Sequence, residues 1–349
     1  MELPIYYSIS RFEEQIRSQR EKRTENRWNF CQYFLLQEEL AFVYEMMGLH
    51  EESLIQYDEL DALFTQFVLN CAVGEVPGWL AAFEKTPVDW GGPSLDKNLN
   101  MRLQARLATL SPSLLDIRNY LFSRQSCLLL VCGKPWEVAR RALSFVHNTL
   151  QELDILETER GLSGSLDCWV LLTCLEVLQA CARHTEPGQG QQHCLFTADL
   201  WAYATRKLLN LGSLCGLLPG QKPNSEQLHL MVSLTSGMQE DMYLTTGNER
   251  NPLERLKESL SSNEAFTKNY LEMCETAISS YKHIGRIRSA RLVGKELASF
   301  YMDLGEVGKA ASFLADGLKT FQQEKWSTLA GKTMLELAKY AHCEGLVRS

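Results

Sequence analysis

The stretch from Leu35 to Phe67, LLQEELAFVYEMMGLHEESLIQYDELDALFTQF, does most to limit what this chain can fold into. Leu36, Leu40, Val43, Tyr44 and Met47 recur at the three-and-four spacing that lines one face of an α-helix. Gly48 follows at the place where a helix end wants a residue that tolerates positive φ. After the link Leu49-His50, Glu51 and Glu52 occupy the first turn of a second helix, where negative charge complements the helix dipole. That helix carries Leu54, Tyr57, Leu60, Leu63, Phe64 and Phe67 on one face. Two helices joined by so short a turn lie antiparallel. The stretch is a helical hairpin.

The same grammar returns in LASFYMDLGEVGKAASFLADGLKTF, Leu297 to Phe321. At a constant offset of 257 positions, Leu40 matches Leu297, Ala41 matches Ala298, Tyr44 matches Tyr301, Gly48 matches Gly305 and Phe64 matches Phe321. Small residues at 41/298 and 53/310 suit the close crossing of paired helices. The pattern resembles a tetratricopeptide-type repeat, whose unit is about 34 residues. A further hairpin is expected around SPSLLDIRNYLFSRQSCLLLVCGKPWEVARRALSFVHNTLQEL, with Ser111 or Ser113 as cap, Gly133 as terminator and Pro135 in the next first turn.

Residues 1–34 read as a charged N-terminal helical segment, with a solvated helix over 9–27. Its Arg17, Arg20, Lys22, Arg23 and Arg27 form either a solvated face among glutamates or a contact for an acidic partner or anionic lipid. Residues 35–349 read as one α-solenoid, with loops near 74–107, 185–195, 216–224 and 239–252. Trp79 and Trp90 in the first loop either anchor a partner or pack on the helices. Residues 164–184 are apolar nearly all round, as in a central helix covered on both sides. Further helices are expected over 197–211, 225–238, 263–284, 290–304, 306–322 and 327–342, and Glu240 to Pro252 reads as loop. No period-2 strand pattern occurs, so the expected class is all-α: an α-solenoid of antiparallel helical hairpins, tetratricopeptide-like.

With 349 residues, 45% apolar and 22% charged, the chain can bury a sizeable core. A net charge of −8 argues against general nucleic-acid binding, which needs clustered basic charge. No uninterrupted apolar run approaches the roughly 18 residues of a membrane span, and the start lacks the pattern of a signal peptide. Eleven cysteines, several inside apolar runs, read as small buried hydrophobes of a reducing, cytosolic compartment.

Chemistry is sparse. Gly161-x-x-Gly164 and Gly188-x-Gly190 lack the strand and helix start of a phosphate loop, and no Gly-x-Ser-x-Gly elbow occurs. Cys181-x-x-His184 with His193-Cys194 offers nitrogen and sulfur donors, but its spacing departs from zinc motifs; Cys168, Cys174 and Cys181 follow core spacing. His147 reads as a core or boundary histidine rather than a base, and Asp58-Glu59-x-Asp61 as facing water or a basic partner rather than as an acid/base pair. The expectation is no enzyme, no cofactor, no metal and no small-molecule substrate. The best candidate surface is the basic stretch Lys282, His283, Arg286, Arg288, Arg291 and Lys295, with no acid before Glu296. Lys282, Arg286, Arg288, Arg291 and Lys295 are therefore candidate contacts for an acidic partner subunit, a GTPase or anionic lipid.

Long segments carry a family resemblance: NRWNFCQYFLLQEELAFVYE with QYDELDALFTQFV, DIRNYLFSRQ, PWEVARRAL, LDCWVLLTCLEVLQ, LWAYATRKL with LGSLCGL, PNSEQL, and IGRIRSARLVGKELASFYM. Together they resemble the subunit-ten family of the transport protein particle (TRAPP), the large subunit specific to TRAPP II. The matches run from about 11 to 325 and lapse at 74–107, 185–195, 236–250 and beyond 325. The resemblance implies the central α-solenoid of a longer protein, flanked in the family by an N-terminal region and a β-sandwich region. It further implies a non-catalytic scaffold of a vesicle-tethering complex that supports nucleotide exchange on Rab-family GTPases. The implied partners are the other TRAPP subunits and, through the complex, a Rab; the implied place is cytoplasmic, peripheral to cis- and trans-Golgi membranes. The alternative is a tetratricopeptide-like peptide-binding adaptor.

Overall fold

The computed structural model describes residues 2–25, 27–71, 74, 76–85, 87, 90–95, 112–158, 161–186, 188, 190–236 and 251–347. Among the described residues there are thirteen α-helices and no strand. They are α1 (Glu2–Glu21), α2 (Phe30–Met46), α3 (His50–Cys71), α4 (Leu114–Val131), α5 (Pro135–Ile155), α6 (Ser165–His184) and α7 (Gly190–Leu214). α8 (Ser225–Ser236), α9 (Pro252–Ser259), α10 (Asn263–His283), α11 (Ile287–Asp303), α12 (Val307–Gln323) and α13 (Ser327–Val347) follow. The fold is all-α. Described residues up to 185 form one compact unit, and 186–236 with 251–347 form another.

In the first unit each helix packs on the next from α1 to α6, and α3 also reaches α5. Each hairpin buries its own seam, so a helix needs only its chain neighbours to cover its apolar face; that is solenoid logic. Tyr57, Leu60 and Phe64 of α3, predicted on one face, are all fully buried. In the second unit α7 packs most extensively against α10, and α9 to α13 follow in neighbour order.

The hairpin turns share one construction. Gly48 takes φ +74 and Gly305 takes φ +78. Beyond Gly48, the Leu49 N–H donates to Tyr44 O at 2.9 Å, and the Glu306 N–H donates to Tyr301 O at 2.9 Å. These bonds satisfy carbonyls that a helix C-terminus otherwise leaves open. The two tyrosines and two glycines matched in the sequence thus occupy equivalent places in equivalent turns. The α12–α13 turn repeats the geometry without glycine: Lys325 sits at φ +62, and Trp326 N–H donates to Phe321 O at 2.8 Å. A side chain in that region costs of the order of 1 kcal/mol. Lys325→Gly is therefore expected to raise stability by up to about 1 kcal/mol, read as an increased midpoint in urea unfolding.

The central helix of the first unit is α6, whose Trp169, Val170, Leu172, Cys174 and Val177 are fully buried. One side is covered by an extended segment, residues 90–95. Asn119 Nδ2 donates to Gly91 O at 3.1 Å, Leu95 N–H donates to Glu176 Oε1 at 3.0 Å, and Cys127 Sγ donates to Leu95 O at 3.2 Å. Side chains of α4 and α6 thus serve as hydrogen-bond partners for the backbone of this buried segment. At Gly92 a Cβ would stand 2.9 Å from Thr173 N, so only glycine lets the segment lie this close.

Several expectations shift. α6 contains an 18-residue window of mean hydropathy 1.4, enough by length and composition for a membrane span, because Glu176 interrupts the apolar run without offsetting its average. Of that window 78% is buried inside the first unit. The 185–195 loop is cut short by α7, which opens at Gly190, and α2 opens at Phe30 with Asn29 as its cap. Within the 74–107 loop, a 3₁₀ turn at Leu80–Phe83 buries Leu80 and Phe83; residues 96–107 lie outside the described residues, as do 239–250 of the loop at 239–252. Helix α9 was not expected. Asn251 and Glu254 form a capping box around Pro252 at its first turn, and that signal is readable in the sequence.

Candidate functional site

The basic stretch spans the end of α10 and the first half of α11. Its cations meet acids brought from other helices of the second unit. Arg286 pairs with Asp199 of α7 at 2.8 Å, and Asp199 also accepts from the Tyr281 hydroxyl at 2.6 Å. Arg288 pairs with Glu324 at 2.9 Å and lies over the Trp326 ring at 4.1 Å. Arg291 bonds Asp316 at 2.9 Å and the Thr320 hydroxyl at 3.1 Å, while Lys295 reaches Glu336 of α13 at 2.7 Å. Lys282 and His283 are exposed in the last turn of α10, where cations complement the helix dipole. The absence of a local acid did not leave the patch unbalanced, because helix packing supplies the counter-charges from distant positions. What remains is a ridge of alternating charge with exposed donors.

Acidic residues singled out on α3 are likewise engaged. Asp58 accepts from Arg141 at 2.7 Å and Gln125 at 2.8 Å; Asp61 pairs with Arg118; Glu59 meets Arg20 at 3.5 Å. Of the two expectations for this run, water or a basic partner, the structure supplies basic partners from the chain's own α1, α4 and α5. Arg118, 3% exposed, also forks onto Glu152 and donates to Thr65 Oγ1 at 2.8 Å. Further along α4, Tyr120 donates to Glu38, and Arg124 bonds Glu45 and the Tyr57 hydroxyl. Burial pushes the Tyr57 and Tyr120 hydroxyls well above their ordinary range, so both remain protonated, Tyr57 accepting from Arg124 and Tyr120 donating to Glu38.

This buried lattice was missed by sequence reading, although DIRNYLFSRQ carries the signal. Arg118, Asn119, Arg124 and Gln125 stand on a helix whose apolar residues already surround it, so its polar groups had to be buried and paired. Carboxylates, guanidinium groups and phenols here satisfy one another, and this arrangement locks helices together rather than poising a nucleophile or base.

The remaining candidates are placed as follows. Cys181 is buried, its Sγ donates to Pro135 O at 3.1 Å, and burial pushes its thiol up to about 12. His184 Nδ1 lies 2.9 Å from Ala180 O. Burial depresses the His193 imidazole and raises the Cys194 thiol. Cys181 and His184 belong to the first unit, His193 and Cys194 to the second, and among the described residues no three His, Cys, Asp or Glu side chains are grouped to hold a metal. His147 is exposed on α5 rather than in the core, because it falls outside the buried Val138–Ala142–Val146 stripe.

Helical hairpins packed in chain order through the first unit and from α9 to α13 of the second define an all-α protein of the solenoid-like class. Comparison with curated proteins gives 46% identity to Trafficking protein particle complex subunit 10 of Homo sapiens over 332 residues, covering 95% of this chain and 26% of the human protein. The Drosophila melanogaster protein of the same name is 44% identical over 349 residues, covering 95% of this chain and 30% of its own length. The Trafficking protein particle complex II-specific subunit 130 homolog of Arabidopsis thaliana is 31% identical over 59% of this chain. No family model and no solved structure matches. The chain belongs to the TRAPP complex subunit 10 family, and it spans between a quarter and a third of the length of the animal relatives it matches.

Proposed function

We propose that this chain is a non-catalytic helical scaffold of a TRAPP II vesicle-tethering complex, supporting nucleotide exchange on a Rab-family GTPase in Golgi trafficking. It works in the cytoplasm, peripheral to cis- and trans-Golgi membranes, with other TRAPP subunits as direct partners and the Rab engaged through the complex. The single observation that carries this reading is the 46% identity over 95% of the chain to a TRAPP subunit. The fold agrees with it: helical hairpins bury their seams locally and leave long polar faces for neighbouring subunits.

The ridge of Lys282, Arg286, Arg288, Arg291 and Lys295 is proposed as one such contact face. Arginine offers five donors, so a residue already holding one carboxylate can take a second from a partner. Lys282→Glu with Arg288→Glu is expected to weaken assembly with the small TRAPP subunits and to make a fluorescently tagged chain diffuse rather than Golgi-associated. Stability should change by no more than about 1 kcal/mol for each exposed pair lost. Unchanged assembly and unchanged Golgi association would remove the ridge from the interface, while a wild-type chain that never associates with Golgi membranes would count against the scaffold reading itself.

A further inference from the structure

We propose that a charged cleft of the first unit, formed by α3, α4 and α5, receives an arginine side chain of a partner protein. The cleft measures about 480 Å³, and Asp58, Asp61, Arg118, Glu137, Arg140 and Arg141 line it. Among the described residues, three guanidinium groups here share four carboxylates. Each guanidinium forks onto one of them. Arg118 grips Glu152 through Nε, at 2.6 Å, and through Nη2. Arg140 grips Glu137 through Nε, at 2.7 Å, and through Nη2. Arg141 grips Asp58 through Nη1 and Nη2, at 2.7 and 3.2 Å. Asp61 is the carboxylate left over. It takes one N–H of Arg118 on Oδ1, and its side chain is 41% exposed.

Three positive charges against four negative leave this bonded network one cation short. The surplus reaches the buried Glu152 carboxyl: burial raises it, Arg118 lowers it, and the charge of Asp61 raises it again. A cation beside Asp61 relieves both carboxylates, and the same field draws it in. Guanidinium suits the place better than ammonium, because Asp61 still has an oxygen to complete the planar fork that the other three carboxylates already make. Exposed Ser144 and Asn148, on successive turns of α5 along the same cleft, supply neutral acceptors for the remaining N–H groups. An anionic ligand would meet the surplus as repulsion. The occupant follows from this chemistry alone and does not depend on the TRAPP reading.

The probe is the peptide acetyl-Ala-Ser-Arg-Ser-Ala-amide, titrated into the full 349-residue chain and followed by the methyl resonance of Ala62, which lines the cleft. A saturable shift is expected. The citrulline counterpart, which keeps the shape of arginine and loses its charge, should bind about tenfold more weakly or worse, the effect of hydrogen bonds to a charged group. That contrast uses the wild-type chain and is free of any folding question. Asp61→Asn, shown to be folded by thermal unfolding, should weaken the arginine peptide by about tenfold as well. The proposal is overturned by the absence of a saturable shift, by equal binding of the citrulline peptide, or by Asp61→Asn binding as tightly as the wild type. Free L-arginine binding more tightly than the peptide would also overturn it, since the cleft would then serve a small molecule rather than a partner protein.

Discussion

Arg118→Leu is expected to lower the unfolding free energy of the chain by about 3–5 kcal/mol, because it leaves the buried Glu152 carboxylate without its counter-charge. Glu152 is 2% exposed and receives the Arg118 Nε at 2.6 Å. Even with the guanidinium in place, burial is the larger influence and holds this carboxyl above its ordinary range. Without Arg118 that rise goes unopposed. The folded state of the variant then binds a proton more tightly than the unfolded chain, so its stability is fully present below the unfolded pKa of about 4.3 and is lost as pH rises through the folded value. Urea unfolding should therefore show a larger deficit at pH 8 than at pH 5. Arg140→Leu serves as the contrast: Arg140 is 58% exposed in its side chain, and losing its pair with Glu137 should cost no more than about 1 kcal/mol. Equal losses in the two variants would contradict a buried lattice as the tie between α3, α4 and α5.

Gly212→Ala should destabilise the second unit by about 1 kcal/mol net, against the usual gain from replacing a helical glycine. An added Cβ would fall within the fully buried ring of Phe266, at the contact between α7 and α10. Overpacking of this kind costs about 1–3 kcal/mol, while alanine's helix propensity returns about 1. Gly331→Ala in α13 meets nothing within 4 Å and should instead stabilise by about 0.5–1 kcal/mol. Opposite signs in urea midpoints are the expected result. Partial rescue of Gly212→Ala by Phe266→Leu would show that the ring itself is the obstacle.

The helices were legible where a local rule governs them. Three-and-four apolar spacing, Ser113 as a cap, and positive-φ glycines at 48, 133 and 305 each act over a few residues and need no tertiary information. Pairing across helices was not legible. Arg286 and Asp199 lie 87 positions apart and Arg118 and Asp61 lie 57 apart, so a run that looks purely basic in sequence is neutralised by packing that sequence spacing does not encode. The close lie of residues 90–95 on α6 was hidden for the same reason: Gly92 reads as loop punctuation until Thr173 is beside it. Helix α9 lay within reach of the capping-box rule, and only its eight-residue length obscured it.

The most direct measurement of the central claim is affinity purification of the tagged chain from cytosol, with mass spectrometry of the proteins retained. Membership of the TRAPP subunit 10 family, with the scaffold role we propose within a TRAPP II assembly, leads us to expect small TRAPP subunits, or the other TRAPP II-specific subunit, in stoichiometric amounts. They should persist with Arg140→Leu and fall away with Arg118→Leu, once the helices of the first unit lose their tie. Retention of chaperones or unrelated proteins alone, with no TRAPP subunit recovered by the wild-type chain, would contradict it.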